Sequence, residues 1–181
     1  VDVEEAGLGD YGRPGNYFER QVGRWSKQYR ASETETVPHM EELMVWLTEN
    51  MPADDGRVAL VHGDYRLDNV MFHPTEPRII AVLDWELSTL GNPIADLAYQ
   101  VMAWQLPRDA GITGLAGVDR KPLAIPDDNS YVIRYCERTG RNEIEHWNFY
   151  LAFCFFRLAA IVQGVKKRAL DGTASSAEAE S

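Results

Sequence analysis

The hydrophobic pattern of the first fifty residues predicts two amphipathic helices. From Asn16 onward, apolar residues recur at helical spacing and indicate one helix with a single apolar face. A second helix follows Pro38, with apolar residues again on one face and Pro52 beyond its end. The apolar face of the first helix consists of Phe18, Val22, Trp25 and Tyr29, and that of the second of Met40, Leu43, Met44 and Leu47.

The middle of the chain changes to the pattern of short strands. The stretch "RVALVHGD" predicts a strand that ends in a turn, and "NVMFHPTEPRIIAVLDWE" predicts a β-hairpin with a loop from His73 to Pro77. The stretch "GNPIADLAYQVMAW" then opens a helix, with Asn92 as N-cap and Pro93 at its first position. The chain from Leu106 to Pro126 is rich in Gly and Pro and is predicted to be a loop.

Two further helices and two irregular ends complete the pattern. One helix is predicted near Asp127 to Arg138, ending at Gly140, and the last from about Glu143 to Leu170. The last is apolar nearly all round through Val162, so we expect it to be central. We expect three segments: a connector at 1–15, one domain at 16–170 and a disordered tail at 171–181. The fold class is α+β, mainly helical, with one small β-hairpin.

Composition and charge narrow the class of protein. The chain has 181 residues, 45% of them hydrophobic, which is enough for one globular domain or a large part of a bigger one. Its net charge of −10 argues against a nucleic-acid partner, which requires a basic face. Cys136 and Cys154 have no metal-site spacing and are expected to be buried free thiols. With no signal peptide, and "FYLAFCFF" short of the roughly 20 residues that span a bilayer, we expect a cytoplasmic protein without a membrane partner.

Three polar residues stand at the ends of the predicted strands and suggest a metal site. Asp64 and Asn69 lie across the turn that precedes the hairpin, and Asp84 ends its returning strand. Pairing of the two strands would bring Asp84 back beside Asn69. Carboxylate and amide oxygens are hard ligands, too few here for Ca²⁺, and they suit Mg²⁺, which keeps waters and takes ligands from phosphates. Asp64, not needed for the metal, could accept a proton from an attacking hydroxyl.

The motif "HGDYRLDN" followed by "LDWE" resembles the catalytic loop and the metal-binding motif of the aminoglycoside phosphotransferase and choline kinase-like family. This family is a small-molecule branch of the protein-kinase-like fold, whose protein-kinase motifs are H-R-D-x-x-x-x-N and D-F-G. Here Gly63 replaces the Arg, and Trp85-Glu86 replaces Phe-Gly. The resemblance implies the C-terminal lobe of that fold, with ATP or another nucleoside triphosphate and Mg²⁺ as cofactors.

The resemblance also implies roles for individual residues. Asp64 resembles the catalytic base that orients the acceptor hydroxyl, and Asn69 and Asp84 resemble the Mg²⁺ ligands. Arg66 matches a position that reaches the transferred phosphate in protein kinases, although it could instead form only a structural salt bridge.

Three further residues near these motifs have supporting roles by the same resemblance. His62 would brace the loop rather than react, and Asp96 resembles a buried aspartate that ties the catalytic loop to the following helix. Glu86 could line the acceptor site on the substrate side or simply face water.

A narrower resemblance covers both ends of the chain. The stretches "GLGDYGRPGNYFERQVGRWSKQY" and "QGVKKRALDGTASSAEA" are similar to the kinase-like domain fused upstream of acyl-CoA dehydrogenase modules in some animal proteins. Nothing before Asp64 resembles the N-terminal lobe of the family. We therefore expect this lobe of the same protein to be a missing partner, and the chain alone to transfer phosphate poorly.

Three functions remain open from the sequence. The first is an ATP- and Mg²⁺-dependent O-phosphotransferase acting on a small hydroxylated substrate, for which the narrower resemblance suggests a hydroxyacyl-CoA. The second is a non-catalytic, pseudokinase-like binding module. The third, a metal-dependent hydrolase, would need a second metal or more His ligands than the sequence supplies.

Overall fold

The computed structural model describes residues 2–109 and 114–173, which contain five α-helices and four short strands. The helices are α1 (Tyr17–Ser32), α2 (Pro38–Glu49), α3 (Ile94–Gln105), α4 (Asp128–Thr139) and α5 (Trp147–Leu170). The strands are β1 (Ala59–Val61), β2 (Val70–Phe72), β3 (Ile79–Val82) and β4 (Thr89–Gly91), and 3₁₀ turns cover Leu67–Asn69 and Trp85–Leu87.

The chain divides into two compact units. One contains the segment up to Gly15 and Gly56–Leu151, and the other contains Asn16–Asp55 and the chain from Ala152 onward. The predicted connector therefore groups with the unit that holds the motifs, in a series of turns. Of the predicted tail, Asp171 to Thr173 form a turn after α5, and residues 174–181 lie outside the described part of the chain.

The unit that holds α1 and α2 is built on the predicted apolar faces. Phe18, Val22, Trp25 and Tyr29 are all buried, because they recur on one side of α1. The Phe18 ring meets Phe153 of α5 edge to face, with centroids 5.3 Å apart. These contacts confirm the predicted apolar face of α1.

Two small antiparallel sheets frame the loop that carries the motifs. In the first, β2 pairs with β3 in the register Val70↔Val82, which confirms the predicted hairpin. In the second, β1 pairs with β4, with Leu60 opposite Leu90. Strand β4 was not predicted, because its three residues have no alternating pattern and become a strand only by pairing with a distant segment.

Helix α3 is the most deeply buried helix of its unit. Ten of its twelve residues are buried, including Gln100, where the sequence predicted a stripe along one face. The Asn92 side chain accepts a hydrogen bond from the Ile94 backbone N–H at 3.0 Å, which confirms the predicted cap. Nearly complete burial is tolerated because the few polar side chains of α3 have partners within the unit.

Helix α5 differs from the prediction in two respects. It begins at Trp147 rather than Glu143, and Val162 is 58% exposed, so the expected burial on nearly all sides was wrong. Its buried face includes Phe153, Phe156 and Ala160. By length and composition α5 could cross a membrane, with a mean hydropathy of 1.5, but half of that window is buried inside the structure. The core helix of a soluble protein meets the same criterion.

Cys136 and Cys154 are both free and buried, as predicted.

Candidate active site

The loop between β1 and β2 contains most of the predicted site residues, and its first turn requires glycine. Gly63 has φ +85°, a backbone conformation that side chains rarely adopt. A Cβ at this position would lie 2.6 Å from the carbonyl oxygen of Leu87. The Gly that replaces the protein-kinase Arg therefore lets the loop approach the turn after Asp84.

His62 joins this loop to the end of the hairpin through both ring nitrogens. Nδ1 accepts a hydrogen bond from the Asp64 backbone N–H at 3.2 Å, so the ring proton is on Nε2. Nε2 then donates to the carbonyl of Leu83 at 2.8 Å. The ring, which is 2% exposed, lies against Trp85 with centroids 4.6 Å apart. Both nitrogens are thus occupied by backbone groups, in the bracing position that the resemblance implies.

Asp96 holds the same loop from the first turn of α3. Its two carboxylate oxygens accept hydrogen bonds from the backbone N–H groups of His62, at 2.7 Å, and Gly63, at 2.9 Å. Burial is the largest cause of the raised pKa of Tyr135, and the negative charge of Asp96 raises that pKa further. Asp96 thus ties the loop to α3, and the neighbouring Tyr135 remains a neutral phenol.

Asp64 and Asn69 are locked together by the amide of Asn69. Its Nδ2 donates to the backbone carbonyl and to the carboxylate Oδ2 of Asp64, both at 2.8 Å. Because Nδ2 makes both bonds, Oδ1 of Asn69 is left as a free acceptor among the described residues. The Asp64 side chain is 17% exposed, and its own Oδ1 makes no hydrogen bond in the described part of the chain. Two oxygens therefore stay available in a loop that is otherwise fully bonded.

Arg66 lies between two carboxylates. Its Nε donates to Asp64 Oδ2 at 3.3 Å, and its Nη1 donates to Asp68 Oδ2 at 2.6 Å. The side chain is 25% exposed. This geometry corresponds to the salt-bridge alternative for Arg66, and its predicted contact with a phosphate stays a prediction.

Asp84 is brought next to Asn69 by the hairpin, as the strand pairing predicts. The backbone N–H of Leu83 donates to the carbonyl of Asn69 at 2.8 Å, directly before Asp84. Asp84 itself has φ +64° and ψ +58°, which Asp tolerates better than most residues. Its side chain is exposed and makes no hydrogen bond or ion pair with any described residue. Glu86 follows in the 3₁₀ turn and is also exposed.

The residues present fit the Mg²⁺ that the resemblance implies. Asn69 Oδ1 and the Asp84 carboxylate are the unengaged hard oxygens on neighbouring backbone positions. In residues 2–109 and 114–173, no group of three or more His, Cys, Asp or Glu side chains could hold a metal ion. An amide and one carboxylate, completed by waters and phosphate oxygens, are a ligand set outside that definition. These two residues could therefore hold Mg²⁺ only together with a phosphate-bearing ligand.

Two buried contributors to the site were not found from the sequence. Gln100, with its amide oriented so that donors face acceptors, donates to the Tyr65 carbonyl at 3.3 Å and accepts from Trp104 Nε1 at 2.7 Å. The signal for Gln100 was available, since it is a polar residue within an otherwise apolar helix. The contact of Trp85 with His62 had no such signal, because it joins two separate segments.

Comparisons with known proteins agree with this arrangement. A profile of the phosphotransferase enzyme family matches residues 1–127. A Ralstonia eutropha protein of known structure, provisionally named an aminoglycoside phosphotransferase, is 57% identical with a TM-score of 0.93, over 99% of this chain and 54% of that chain. The macrolide 2′-phosphotransferase of Brachybacterium faecium has a TM-score of 0.56 at 20% identity, over 99% of this chain and 52% of that chain, a likeness of fold alone.

A curated relative supports the narrower resemblance. Acyl-CoA dehydrogenase family member 10 of Mus musculus is 50% identical over 181 residues, which are 99% of this chain and 17% of the mouse protein. The chain thus spans about half the length of its structural neighbours and less than a fifth of this relative. The fold is α+β and mainly helical, that of a kinase-like lobe. Since the family profile matches more than half of the 181 residues, the chain belongs to the phosphotransferase enzyme family.

Proposed function

We propose that the chain carries the phosphate-transfer centre of an ATP- and Mg²⁺-dependent O-phosphotransferase that acts on the hydroxyl group of a small molecule. The observation that carries this proposal is the bonding of the loop. Asn69 fixes Asp64 through two hydrogen bonds of 2.8 Å and leaves one oxygen of each side chain unengaged.

Each free oxygen has a distinct role in this proposal. Oδ1 of Asp64 accepts the proton of the acceptor hydroxyl, while its Oδ2 remains held by Asn69 and Arg66. Asn69 Oδ1 and the Asp84 carboxylate hold Mg²⁺, which when bound neutralises charge on the phosphates. His62 and Asp96 contribute by orientation, since they hold the loop and do not react.

The acceptor is proposed by analogy with the relatives. The mouse relative is named an acyl-CoA dehydrogenase family member, which favours a hydroxyacyl thioester over an antibiotic. Because the chain covers only 54% of the Ralstonia protein, we also propose that nucleotide binding in the longer proteins uses residues outside this chain. We therefore expect slow transfer by the 181 residues alone.

A direct test is transfer of γ-labelled phosphate from Mg²⁺-ATP to a short hydroxyacyl-CoA, measured for this chain and for the Ralstonia protein side by side. The Asp64→Asn variant, made in this chain and at the matching position of the Ralstonia protein, should lose about 10²- to 10⁴-fold in rate, the usual contribution of a general base. Asp171→Asn, which alters an exposed ion pair with Lys167, is the matched control in this chain.

Other outcomes would contradict specific parts of the proposal. Equal turnover by both proteins would contradict slow transfer by this chain. If Asp64→Asn leaves the rate unchanged, Asp64 is not the base. If the Ralstonia protein binds Mg²⁺-ATP but transfers phosphate to no hydroxyl acceptor tested, the non-catalytic binding module becomes the better interpretation.

A further inference from the structure

Asp84 owes its position entirely to the backbone on either side of it. On the N-terminal side, both backbone polar groups of Leu83 are fixed: its N–H by Asn69 at 2.8 Å and its carbonyl by His62 at 2.8 Å. On the C-terminal side, the carbonyl of Trp85 accepts two hydrogen bonds from Ser88, from the backbone N–H at 3.0 Å and from the hydroxyl at 2.5 Å. Asp84, in its left-handed conformation, lies between these two anchors.

The second anchor continues into the connector. The Tyr11 hydroxyl is 2.6 Å from Ser88 Oγ. Because a carbonyl can only accept, the Ser88 O–H must donate to Trp85, and Tyr11 must then donate to Ser88. The hydrogen bonds therefore run in one direction, from the Tyr11 hydroxyl through the Ser88 hydroxyl to the Trp85 carbonyl, and bonds in such a series strengthen one another.

The connector is also in close contact with β4 next to Tyr11. A Cβ at Gly12 would lie 2.6 Å from Thr89 Oγ1 and 2.7 Å from the Leu90 backbone nitrogen. Only glycine lets the connector approach β4 this closely, so the position of Tyr11 over Ser88 is set by the backbone as well as by its hydroxyl. Tyr11 is 46% exposed, and apolar burial therefore holds it only in part.

We propose that Tyr11 and Ser88 are positioning residues, which couple the connector to the turn that carries Asp84 and so set where its carboxylate lies. The inference rests on the proposed function, because it assigns the Asp84 carboxylate a metal to bind. Neither residue touches that metal or the reacting atoms. Both act through the Trp85 carbonyl, and the movement of the connector away from β4 loosens the metal ligand.

The test uses Mn²⁺ alone as the probe, followed by paramagnetic broadening of the Asn69 and Asp84 amide signals in the 181-residue chain. Loss of one hydrogen bond from the series should weaken Mn²⁺ binding by about fivefold in Ser88→Ala, and by less in Tyr11→Phe, which keeps the bond to Trp85. In the Ser88→Ala background, Tyr11→Phe should add nothing, because the series is already broken. Ser88→Thr should restore binding, since it keeps the hydroxyl.

The matched control is Ser32→Ala, which also removes a serine hydroxyl bonded to a backbone carbonyl, at 2.9 Å from Gln28, but lies in the other unit. It should leave Mn²⁺ binding unchanged. Asp84→Asn should abolish binding in every background. If Asp84→Asn abolishes it while Ser88→Ala and Tyr11→Phe leave it unchanged, the coupling is refuted and the proposed metal site stands.

A second measurement keeps the two proposals distinguishable. If the unmodified chain shows no Mn²⁺ site at Asp84, the metal part of the proposed function fails. The coupling is then decided by amide hydrogen exchange in Trp85 to Ser88. Exchange should be faster by about threefold to tenfold in Tyr11→Phe and in Gly12→Ala, since each weakens about one hydrogen bond. Unchanged exchange in both variants would overturn the inference.

Discussion

Gly63 and Asp84 both have left-handed backbone conformations, but for different physical reasons. At Gly63, the approach of the Leu87 carbonyl leaves no room for a side chain. At Asp84, nothing encloses the side chain, and its carboxylate makes no bond with any described residue. Conformations of this kind cost about 1–3 kcal/mol in residues other than Gly and are concentrated at functional sites. The conformation at Asp84 is therefore retained for what its carboxylate does.

We expect Gly63→Ala to destabilise the chain by about 1–3 kcal/mol more than Gly56→Ala. Both glycines have positive φ, +85° and +70°, but no atom lies within 4 Å of a Cβ at Gly56. Gly56→Ala thus measures backbone strain alone, about 1–2 kcal/mol, and the difference between the variants isolates the contact with Leu87. Urea unfolding of both variants measures this difference, and equal losses would contradict the steric argument.

We expect Asp84→Asn to leave the free energy of unfolding within about 0.5 kcal/mol of the unmodified chain, because Asn tolerates the left-handed region and no bond is lost. Asp84→Val should cost about 1–2 kcal/mol, since a β-branched residue does not tolerate that region. Thermal or urea unfolding checks both values. A large loss in Asp84→Asn would mean that the carboxylate has a structural partner.

At the level of elements, the first turns of α3 and α4 use aspartate in different ways. Asp96 of α3 accepts one backbone N–H on each oxygen, from His62 and Gly63. Asp127, at the N-cap of α4, accepts the backbone N–H of Ser130 at 2.9 Å on one oxygen and its hydroxyl at 2.8 Å on the other. A hydroxyl can reverse its direction and accept, whereas a backbone N–H cannot.

This difference predicts opposite responses to the same substitution. Asp96→Asn should destabilise the chain by roughly 1–3 kcal/mol, because the new NH₂ group faces a backbone N–H and leaves it unsatisfied. Asp127→Asn should be nearly neutral, since Asn is an equally good N-cap and the Ser130 hydroxyl can turn. Urea unfolding of the two variants tests this contrast. Similar losses would show that Asp96 acts through its charge rather than through its two acceptors.

The cap of α4 also predicts a dependence on pH. The hydrogen bonds from Ser130, from its backbone first and then its side chain, lower the pKa of Asp127 from its ordinary value of 3.8. The stability that this cap contributes is therefore complete above pH 3.8 and is lost as the pH falls through the lower pKa of the folded state. Amide exchange of Ser130 should accelerate over that range, but not in Asp127→Asn.

At the level of the whole molecule, α5 is the element whose role is least evident from its own residues. Its 24 residues are long and apolar enough for a membrane span. In the structure, however, the buried face of its C-terminal part packs within its own unit, where Phe153 meets Phe18 and Arg157 lies 5.4 Å from the Trp25 ring. Gln163 donates to the Ser32 carbonyl at 2.8 Å. These contacts use the surface that a lipid-facing helix would expose.

We expect the folded chain to remain unbound when mixed with zwitterionic lipid vesicles and separated by flotation, because α5 buries an arginine and a glutamine on its packed face. A variant that disrupts this packing, Phe153→Ala, supplies the comparison. It should lose about 3–5 kcal/mol of stability and bind vesicles only where it unfolds. Flotation of the intact chain with the vesicles would contradict this interpretation of α5.

Local patterns predicted the parts of the fold and site that depend on neighbours in sequence. The apolar faces of α1 and α2, the Asn92 cap, the end of α4 at Gly140 and the β2–β3 hairpin all follow from spacing within a dozen residues or so. The adjacency of Asn69 and Asp84 was predictable for the same reason, since a hairpin returns its second strand beside its first. The roles assigned to these residues stay predictions.

What the sequence by itself determined is therefore the type of each helix, the hairpin and the loop motif that carries the resemblance, because these depend on local periodicity and turn chemistry. Only the tertiary structure decided the pairing of β1 with β4, the contact of His62 with Trp85, the partners of Arg66 and the series from Tyr11 to Trp85. Each joins segments, or selects among partners, by packing in three dimensions. A hydrogen bond between residues 77 positions apart, such as Tyr11 to Ser88, has no periodicity along the chain.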